Sequence, residues 1–135
     1  MAKKKIYVAE DNPLQVVLLK AALKSGEDQE ILFFGDGLEI YQKVQQEKPD
    51  LLILDIILPS LSGLAVSRLV KFNDLYRDIP VLVTSSITDA NIREKALAAG
   101  ADMFLPKPFQ ITEFAETVKM LLCSGECLAA PPEPS

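Results

Sequence analysis

Residues 51–59, "LLILDIILP", decide the fold, because one aspartate, Asp55, interrupts a run of eight otherwise apolar residues. Residues 51–54 have the length of a short strand, and uninterrupted apolar runs of this kind are typical of parallel strands covered on both faces. An isolated carboxylate costs free energy to bury, so it is normally paired, bound to a cation or protonated. We therefore expect Asp55 to emerge from a buried strand into a polar pocket.

The rest of the chain alternates between short apolar runs and segments with apolar residues at helical spacing. The predicted strands are 6–9, 31–34, 51–54, 81–83 and 103–105. The predicted helices are 13–24, 38–46, 64–72, 89–99 and 111–122. Strand–helix units that follow one another in this way predict an α/β fold, a doubly wound five-stranded parallel sheet with helices on both faces.

Individual residues predict several helix ends and faces. Pro13 suits a first helical turn, and Gly26 and Gly100 suit the ends of the first and fourth helices. Thr88 or Asp89 is the predicted N-cap of the fourth helix. The helically spaced apolar residues are Leu14, Val17, Leu18, Ala21 and Ala22 in the first helix, and Leu38, Tyr41 and Val44, expected to point inward, in the second.

Composition argues against several classes of protein. The 135 residues suit one domain, and a net charge of −5 with a pI near 4.7 argues against direct binding of nucleic acid. No apolar run approaches the ~20 residues that span a bilayer, and the basic start meets Glu10 and Asp11 too soon for a signal peptide. Cys123 and Cys127, without any histidine, predict neither a zinc site nor a disulfide framework. We expect a cytoplasmic protein that does not associate with membranes.

Polar side chains follow four of the five predicted strands. Glu10 and Asp11 follow the first strand, Asp55 the third, Thr84 the fourth and Lys107 the fifth. Ligands of open α/β sheets bind at the carboxyl ends of the strands. We therefore expect three carboxylates, a hydroxyl and an ammonium group to converge at one edge of the sheet.

This set of groups suits phosphoryl transfer assisted by Mg²⁺. Clustered carboxylates repel one another, and a hard divalent cation relieves that repulsion. Protein-bound Mg²⁺ is usually held by one or two carboxylates and a phosphate, while a lysine and a hydroxyl suit the remaining phosphate oxygens. An aspartate carboxylate can itself be the nucleophile and form an aspartyl phosphate.

Four blocks of sequence, taken together, resemble the receiver domain of bacterial two-component response regulators. They are "VAEDNP" (8–13), "PDLLILDIILPSLSGL" (49–64), "IPVLVTSS" (79–86) and "AAGADMFLPKPF" (98–109). The resemblance covers about residues 4–122. It implies a flavodoxin-like sheet with strand order 2-1-3-4-5 and a receiver domain over residues 1–122. Residues 123–135, which end in "AAPPEPS", have the composition of a C-terminal tail or the start of a linker.

The resemblance implies that Asp55 accepts a phosphoryl group from a sensor histidine kinase or a phosphotransfer protein. Mg²⁺ would be bound by Asp11, Asp55 and the backbone carbonyl of Ile57, and Glu10 would act through a metal-bound water. Lys107 would hold the phosphoryl group. Such a domain catalyses only its own phosphorylation and dephosphorylation, so we do not expect an enzyme that acts on other substrates.

The resemblance also implies a conformational switch. Thr84 would move to form a hydrogen bond with the phosphoryl group, and Phe104, where tyrosine is frequent, would swing inward as the aromatic switch residue. Helix four, strand five and helix five would then present a changed surface to an output domain or effector protein. A homodimer through this surface stays open, because helix five carries one cation, Lys119, and no arginine.

Positions that flank the pocket bear on the lifetime of the phosphoryl group. In the family, the positions of Ile57 and Ser86 influence hydrolysis. The apolar Ile57 would not orient a water molecule, so we expect an aspartyl phosphate that is not unusually short-lived.

Three alternatives compete with the phosphoacceptor interpretation. A degenerate receiver would bind partners without phosphorylation, but it usually lacks one of the residues found here. An aspartate-nucleophile phosphatase would carry a second aspartate two residues after the first, where this chain has Ile57. A flavin or nucleotide site would need a glycine-rich or hydroxyl-rich loop after the first strand, whereas "EDNPLQ" (10–15) would repel a phosphate in the absence of a metal.

Overall fold

Every predicted strand and helix is present in the computed structural model, which describes residues 3–23 and 29–123. The strands are β1 (Lys4–Ala9), β2 (Gln29–Phe34), β3 (Leu51–Asp55), β4 (Val81–Ser85) and β5 (Met103–Pro106). The helices are α1 (Pro13–Leu23), α2 (Gly37–Gln46), α3 (Gly63–Lys71), α4 (Ile92–Ala98) and α5 (Ile111–Leu122).

The five strands form one parallel sheet in the order β2-β1-β3-β4-β5. This confirms the predicted doubly wound, flavodoxin-like α/β fold and its strand order. The central strands β3 and β4 are buried along their whole length, as their continuous apolar sequences predict. Their register pairs Asp55 with Thr84, so two of the predicted site residues lie side by side at the carboxyl edge.

Alternate side chains of the strands pack into two separate hydrophobic cores, one on each face of the sheet. On one face, Tyr7 and Leu52 pack with buried residues of α2, α3 and α4. On the other face, Ile6 and Leu51 pack with α1 and α5, where Phe114 is fully buried. This division follows from the two-residue period of a strand, which sends neighbouring side chains to opposite faces of the sheet.

The exposed side chains of α2 correct the expected face of that helix, and those of α1 identify its buried face. Leu14, Val17 and Leu18 are 76%, 64% and 47% exposed, and α1 instead buries Leu19 and Leu23. In α2, Val44 is buried as expected, Tyr41 is half-buried, and Leu38 is exposed, while Gly37 and Ile40 take the inward positions. The expected inward position of Leu38 was therefore wrong.

The start of α4 is the second correction. The helix begins at Ile92, with Asn91 at the N-cap, rather than after Thr88 or Asp89. Asp89 accepts a hydrogen bond from the backbone N–H of Asn91 at 2.8 Å, and this local turn delays the helix. At the other end Gly100 has a φ of 91°, a left-handed conformation that stops the helix as predicted.

Pro13 is the first residue of α1, as predicted, and the remaining element boundaries differ by a few residues at most. The predicted helix end at Gly26, Cys127 and almost all of the predicted tail over 123–135 lie outside the described residues. Within the described residues, none of the helices has the length and apolar character needed to cross a bilayer.

Candidate functional site

Three carboxylates meet at the carboxyl edge of the sheet. Glu10 and Asp11 follow β1, where the Glu10 N–H donates to the carbonyl of Phe34 at 2.9 Å, and Asp55 ends β3. One carboxylate oxygen from each of the three residues lies within 4.8 Å of the other two. Glu10 and Asp55 are buried and Asp11 is exposed, so this acidic cluster opens to solvent on one side. Such a set of oxygen ligands fits a hard divalent cation.

Lys107, which follows the edge strand β5, adds a cation to the acidic cluster. Its backbone N–H donates to the carbonyl of Ser85 at 2.8 Å. Its Nζ lies 2.7 Å from Glu10 Oε1 and 3.4 Å from Asp55 Oδ2, and its side chain is only 10% exposed. Three ionised carboxylates and one ammonium leave an excess of two negative charges, so the pocket is electrostatically suited to a cation.

Burial perturbs the ionisation of Glu10. Burial raises the pKa of Glu10, the hydrogen bond from Lys107 opposes the rise, and the neighbouring charge of Asp55 adds to it. Glu10 also accepts a hydrogen bond from the Asn12 N–H at 3.2 Å. Both carboxylate oxygens of Glu10 are thus engaged, which fixes the orientation of this side chain.

Thr84 lies beside the acidic cluster on the next strand. The backbone N–H of Ile56 donates to the carbonyl of Thr84 at 3.0 Å, which ties the start of the β3–α3 loop to the end of β4. Thr84 is buried, with 4% of its surface exposed. The structure therefore brings together Glu10, Asp11, Asp55, Thr84 and Lys107, as the strand-end pattern predicted.

The structure also places two further residues that the sequence analysis singled out, Ile57 and Phe104. Ile57, two residues after Asp55, is 58% exposed in the β3–α3 loop. Phe104 pairs with Val83 across β4 and β5 and is 6% exposed, so its ring lies within the core under α4. This single ring position does not test the expected swing of Phe104, so its role as a switch residue stays a prediction.

Sequence reasoning missed the packing role of Gly63. Its N–H donates to the carbonyl of Ile56 at 2.8 Å, and a Cβ on Gly63 would overlap the carbonyl of Asp55. Gly63 lies within the sequence block 49–64, but its contact with the backbone of Asp55 forms only in the folded chain. It lets the start of α3 pack directly against the backbone of the central aspartate.

A second contact holds the same β3–α3 loop against α2. Asp36 caps α2 by accepting hydrogen bonds from two backbone N–H groups, and it also accepts one from the Ser60 hydroxyl at 2.7 Å. These hydrogen bonds lower the pKa of Asp36, with that from Ser60 contributing most. Ser60 has a φ of 69°, a left-handed conformation, within this loop. The loop that carries Ile57 is therefore fixed at both ends.

The profile of the response regulator receiver domain family matches residues 6–119 of this chain. The chain belongs to that family. A curated relative, the polar-differentiation response regulator DivK of Brucella anthropi, is 30% identical over 119 residues, which cover 88% of this chain and 96% of DivK.

Solved receiver structures are similar over most of their length. A putative response regulator from Chloroflexus aurantiacus superposes with a TM-score of 0.83 and 26% identity, covering 90% of this chain and 99% of that one. The receiver domain of the Pseudomonas aeruginosa sensor histidine kinase PA1611 gives 0.79 and 25%, covering 90% and 98%. That second receiver domain was solved with a magnesium ion coordinated in its active site cleft. This chain is therefore a receiver domain of the two-component type.

Proposed function

We propose that this receiver domain accepts a phosphoryl group on Asp55 from the phosphohistidine of a sensor histidine kinase or phosphotransfer protein, in a Mg²⁺-dependent reaction. The observation that carries the proposal is the acidic cluster itself, in which Asp55 lies with Glu10 and Asp11 while Lys107 Nζ approaches its Oδ2 to 3.4 Å. A carboxylate oxygen of Asp55 would form the new O–P bond as the N–P bond of the donor breaks, and the imidazole would leave.

Mg²⁺ would be held by Asp11, Asp55 and the carbonyl of Ile57, with Glu10 reaching it through a water. Among the described residues, none donates a hydrogen bond to that Ile57 carbonyl. When bound, Mg²⁺ would neutralise the excess negative charge that otherwise repels a phosphoryl group. The acidic cluster fits this ion because all its donors are oxygens and its open side leaves room for water.

Lys107 and Thr84 would act on the transferred group. The Lys107 ammonium is buried against both Glu10 and Asp55, so it is already placed to donate to a phosphoryl oxygen. Thr84 would gain a hydrogen-bond partner only in the phosphorylated state and would bias its loop accordingly. The surface formed by α4, β5 and α5 would carry that change to an output domain or effector protein.

The exposed apolar residues of α1 would receive the phosphodonor protein. This helix begins two residues after Asp11, so Leu14, Val17 and Leu18 lie on the helix that directly follows this residue of the acidic cluster. A donor histidine has to reach Asp55 at this same edge of the sheet. An apolar surface beside a charged pocket suits a partner whose own apolar face surrounds its phosphohistidine.

The same elements support a proposed extent for the domain. We infer a receiver domain over residues 1–122 and a tail or linker start over 123–135. The support is that α5 ends at Leu122 and the family profile ends at residue 119.

Intact-mass spectrometry tests the proposal directly. The wild type, Asp55→Asn and Asp74→Asn would each be incubated with acetyl phosphate, with and without Mg²⁺. We expect one Mg²⁺-dependent phosphoryl adduct on the wild type and on Asp74→Asn, whose aspartate is 93% exposed and outside the acidic cluster. We expect none on Asp55→Asn. A folded wild type without an adduct would contradict the proposal and favour a receiver that binds partners independently of phosphorylation.

A further inference from the structure

The N-terminal end of α2 holds the middle of the β3–α3 loop. The Ser60 hydroxyl donates to Asp36 Oδ2 at 2.7 Å, and the Gly37 N–H donates to the carbonyl of Pro59 at 3.1 Å. A Cβ on Gly37 would overlap the carbonyl of Leu61, so glycine at this position lets the two backbones touch. Three consecutive residues of the loop therefore contact the start of α2.

Asp36 uses its two carboxylate oxygens for two different contacts. Oδ1 accepts hydrogen bonds from the N–H groups of Leu38 and Glu39, which caps α2, and Oδ2 accepts the one from Ser60. A hydrogen bond to an ionised carboxylate is stronger than one between neutral groups. Ser60 has a φ of 69°, which is unfavourable for a residue with a side chain. The contact with Asp36 therefore offsets the strain of the residue that it holds.

Two kinds of contact place the backbone around Ile57. Leu58 and Leu61 pack against the core on one face of the sheet, but apolar packing is non-directional. Hydrogen bonds are directional, and they fix the peptide groups on both sides of Ile57, at Ile56 and at Pro59. The Ile57 side chain is 58% exposed and adds little constraint of its own. The direction of its carbonyl therefore depends on the hydrogen bonds of its neighbours.

A carbonyl that binds a metal ion has to point in the required direction. Mg²⁺ demands near-octahedral geometry, so rotation of the peptide group of Ile57 would weaken the binding of this ion. Groups that orient a metal ligand from outside the coordination shell change the affinity for the metal. The start of α2 is placed to do this, because it holds the loop two to four residues after Ile57.

We propose that Asp36 is a positioning residue of the metal site, which holds the carbonyl of Ile57 in place through its hydrogen bond with Ser60. This inference rests on the proposed function for the cation and for the ligand role of Ile57. Asp36 lies two residues after the end of β2, the strand without a predicted site residue. All five strands then carry a residue that serves the site, four of them directly and β2 through the loop.

The test is the binding of Mn²⁺ to the full chain, followed by the electron paramagnetic resonance signal of the free ion, with Mg²⁺ added as a competitor. No phosphodonor is present, so the affinity is measured rather than the activity. Ser60→Ala removes the donor to Asp36, and Ser60→Asn restores a donor in a residue that tolerates positive φ. Ser67→Ala is the matched control, because the buried Ser67 hydroxyl donates to the carbonyl of Ala99 at 2.8 Å and joins α3 to the end of α4.

We expect Ser60→Ala to weaken the binding of both ions about three- to tenfold. Loss of a group bonded directly to a metal ligand costs ~10–100-fold, and Ser60 acts through the backbone. Ser60→Asn should return the affinity toward wild type. Ser67→Ala should lower the midpoint of urea unfolding in EDTA at least as much as Ser60→Ala but leave the affinity unchanged. A loss of stability alone would not produce this pattern.

A double-mutant cycle assigns the effect to Asp36. Asp36→Ser keeps a hydroxyl that caps α2 and removes the carboxylate oxygen that accepts from Ser60. Its loss of charge is common to both arms of the cycle and cancels. Ser60→Ala should therefore cause no further loss of affinity in the Asp36→Ser background. A full additional loss there would overturn the proposal.

Other outcomes would also overturn it. These are equal affinities of the wild type and Ser60→Ala, equal losses in Ser60→Ala and Ser67→Ala, no recovery in Ser60→Asn, and a wild type that binds neither ion. The mass spectrum after acetyl phosphate reports phosphorylation separately. An affinity that depends on Ser60 without any adduct would support this inference and refute the proposed function, and an adduct with an affinity independent of Ser60 would do the reverse.

Discussion

Replacing Gly63 by alanine should destabilise the fold and also disturb Asp55, the proposed phosphoacceptor. A Cβ at this position would overlap the carbonyl oxygen of Asp55 and lie 2.8 Å from its carbonyl carbon and 3.0 Å from Ile56 Cα. These neighbours are backbone atoms of the central strand and the residue after it, so no side chain can rotate away. Either the start of α3 or the end of β3 has to move by about 1 Å to restore ordinary contact distances.

The expected cost follows from three effects. Overpacking of a well-packed site costs about 1–3 kcal/mol, and weakening the Gly63 to Ile56 hydrogen bond adds about 1 kcal/mol. The higher helix propensity of alanine returns at most about 1 kcal/mol. The net loss of unfolding free energy is about 2 kcal/mol, or roughly 6 °C in Tm for a domain of this size.

Urea unfolding followed by circular dichroism at pH 7 measures this loss, with Gly35→Ala as the matched control. A Cβ at Gly35 meets nothing within 4 Å, so this variant should stay within about 0.5 kcal/mol of wild type. Adduct formation with acetyl phosphate should slow in Gly63→Ala, because the backbone of Asp55 is displaced. If the two variants had the same unfolding free energy, the claimed contact between α3 and the Asp55 backbone would be refuted.

Ile57→Asn should speed hydrolysis of the aspartyl phosphate about fivefold, because a hydrogen bond of ~1 kcal/mol from the asparagine would orient the attacking water. The control variant Ile57→Val should leave the hydrolysis rate unchanged, and timed intact-mass spectra after removal of the phosphodonor would measure both rates. Ser60→Ala should raise the pKa of Asp36 toward its usual value in ¹³C carboxyl titrations. A lowered pKa of Asp36 stabilises the folded state above pH 3.8, and this stabilisation is lost as the pH falls through the pKa of the folded protein. Ser60→Ala should therefore lose less stability on acidification than the wild type. An unchanged titration of Asp36 in this variant would contradict the prediction. Asp102→Ala should lower the free energy of unfolding in urea by about 1–2 kcal/mol, because Asp102 Oδ2 accepts hydrogen bonds from Lys71 Nζ and the Val81 N–H. The control variant Asp74→Ala, at an exposed position, should change it very little. Equal losses in the two variants would exclude the hydrogen bonds of Asp102 as a source of stability.

The sheet and its polar edge were predictable because both depend on local sequence. Each strand is a short apolar run, and the polar residue that follows it lies at the carboxyl edge whatever the details of packing. The prediction that Asp55 and Thr84 are neighbours required only the strand order. That order was inferred from the alternation of strands and helices together with the family resemblance. Neither step required knowledge of a side-chain orientation.

The faces and starts of helices were harder, for a physical reason in each case. At the start of α4, Asp89 and Asn91 are both good caps, and the choice between them depends on the turn that Asp89 makes. The hydrogen bond between Ser60 and Asp36 joins two separate segments, so no window of sequence contains it. The same holds for Gly63, whose missing side chain matters only because the backbone of Asp55 is beside it.

Helix α1 is a case in which the sequence pattern does not predict the buried face. Its sequence, "PLQVVLLKAAL", is apolar on almost every side, so periodicity cannot select the buried face. Folding selects Leu19 and Leu23 and leaves Leu14 and Val17 in water, where they add little to the stability of the domain. Core packing therefore does not explain these two residues. Their position next to the acidic cluster is explained if a partner covers them, and the only partner that the proposed chemistry requires at this edge is the phosphodonor.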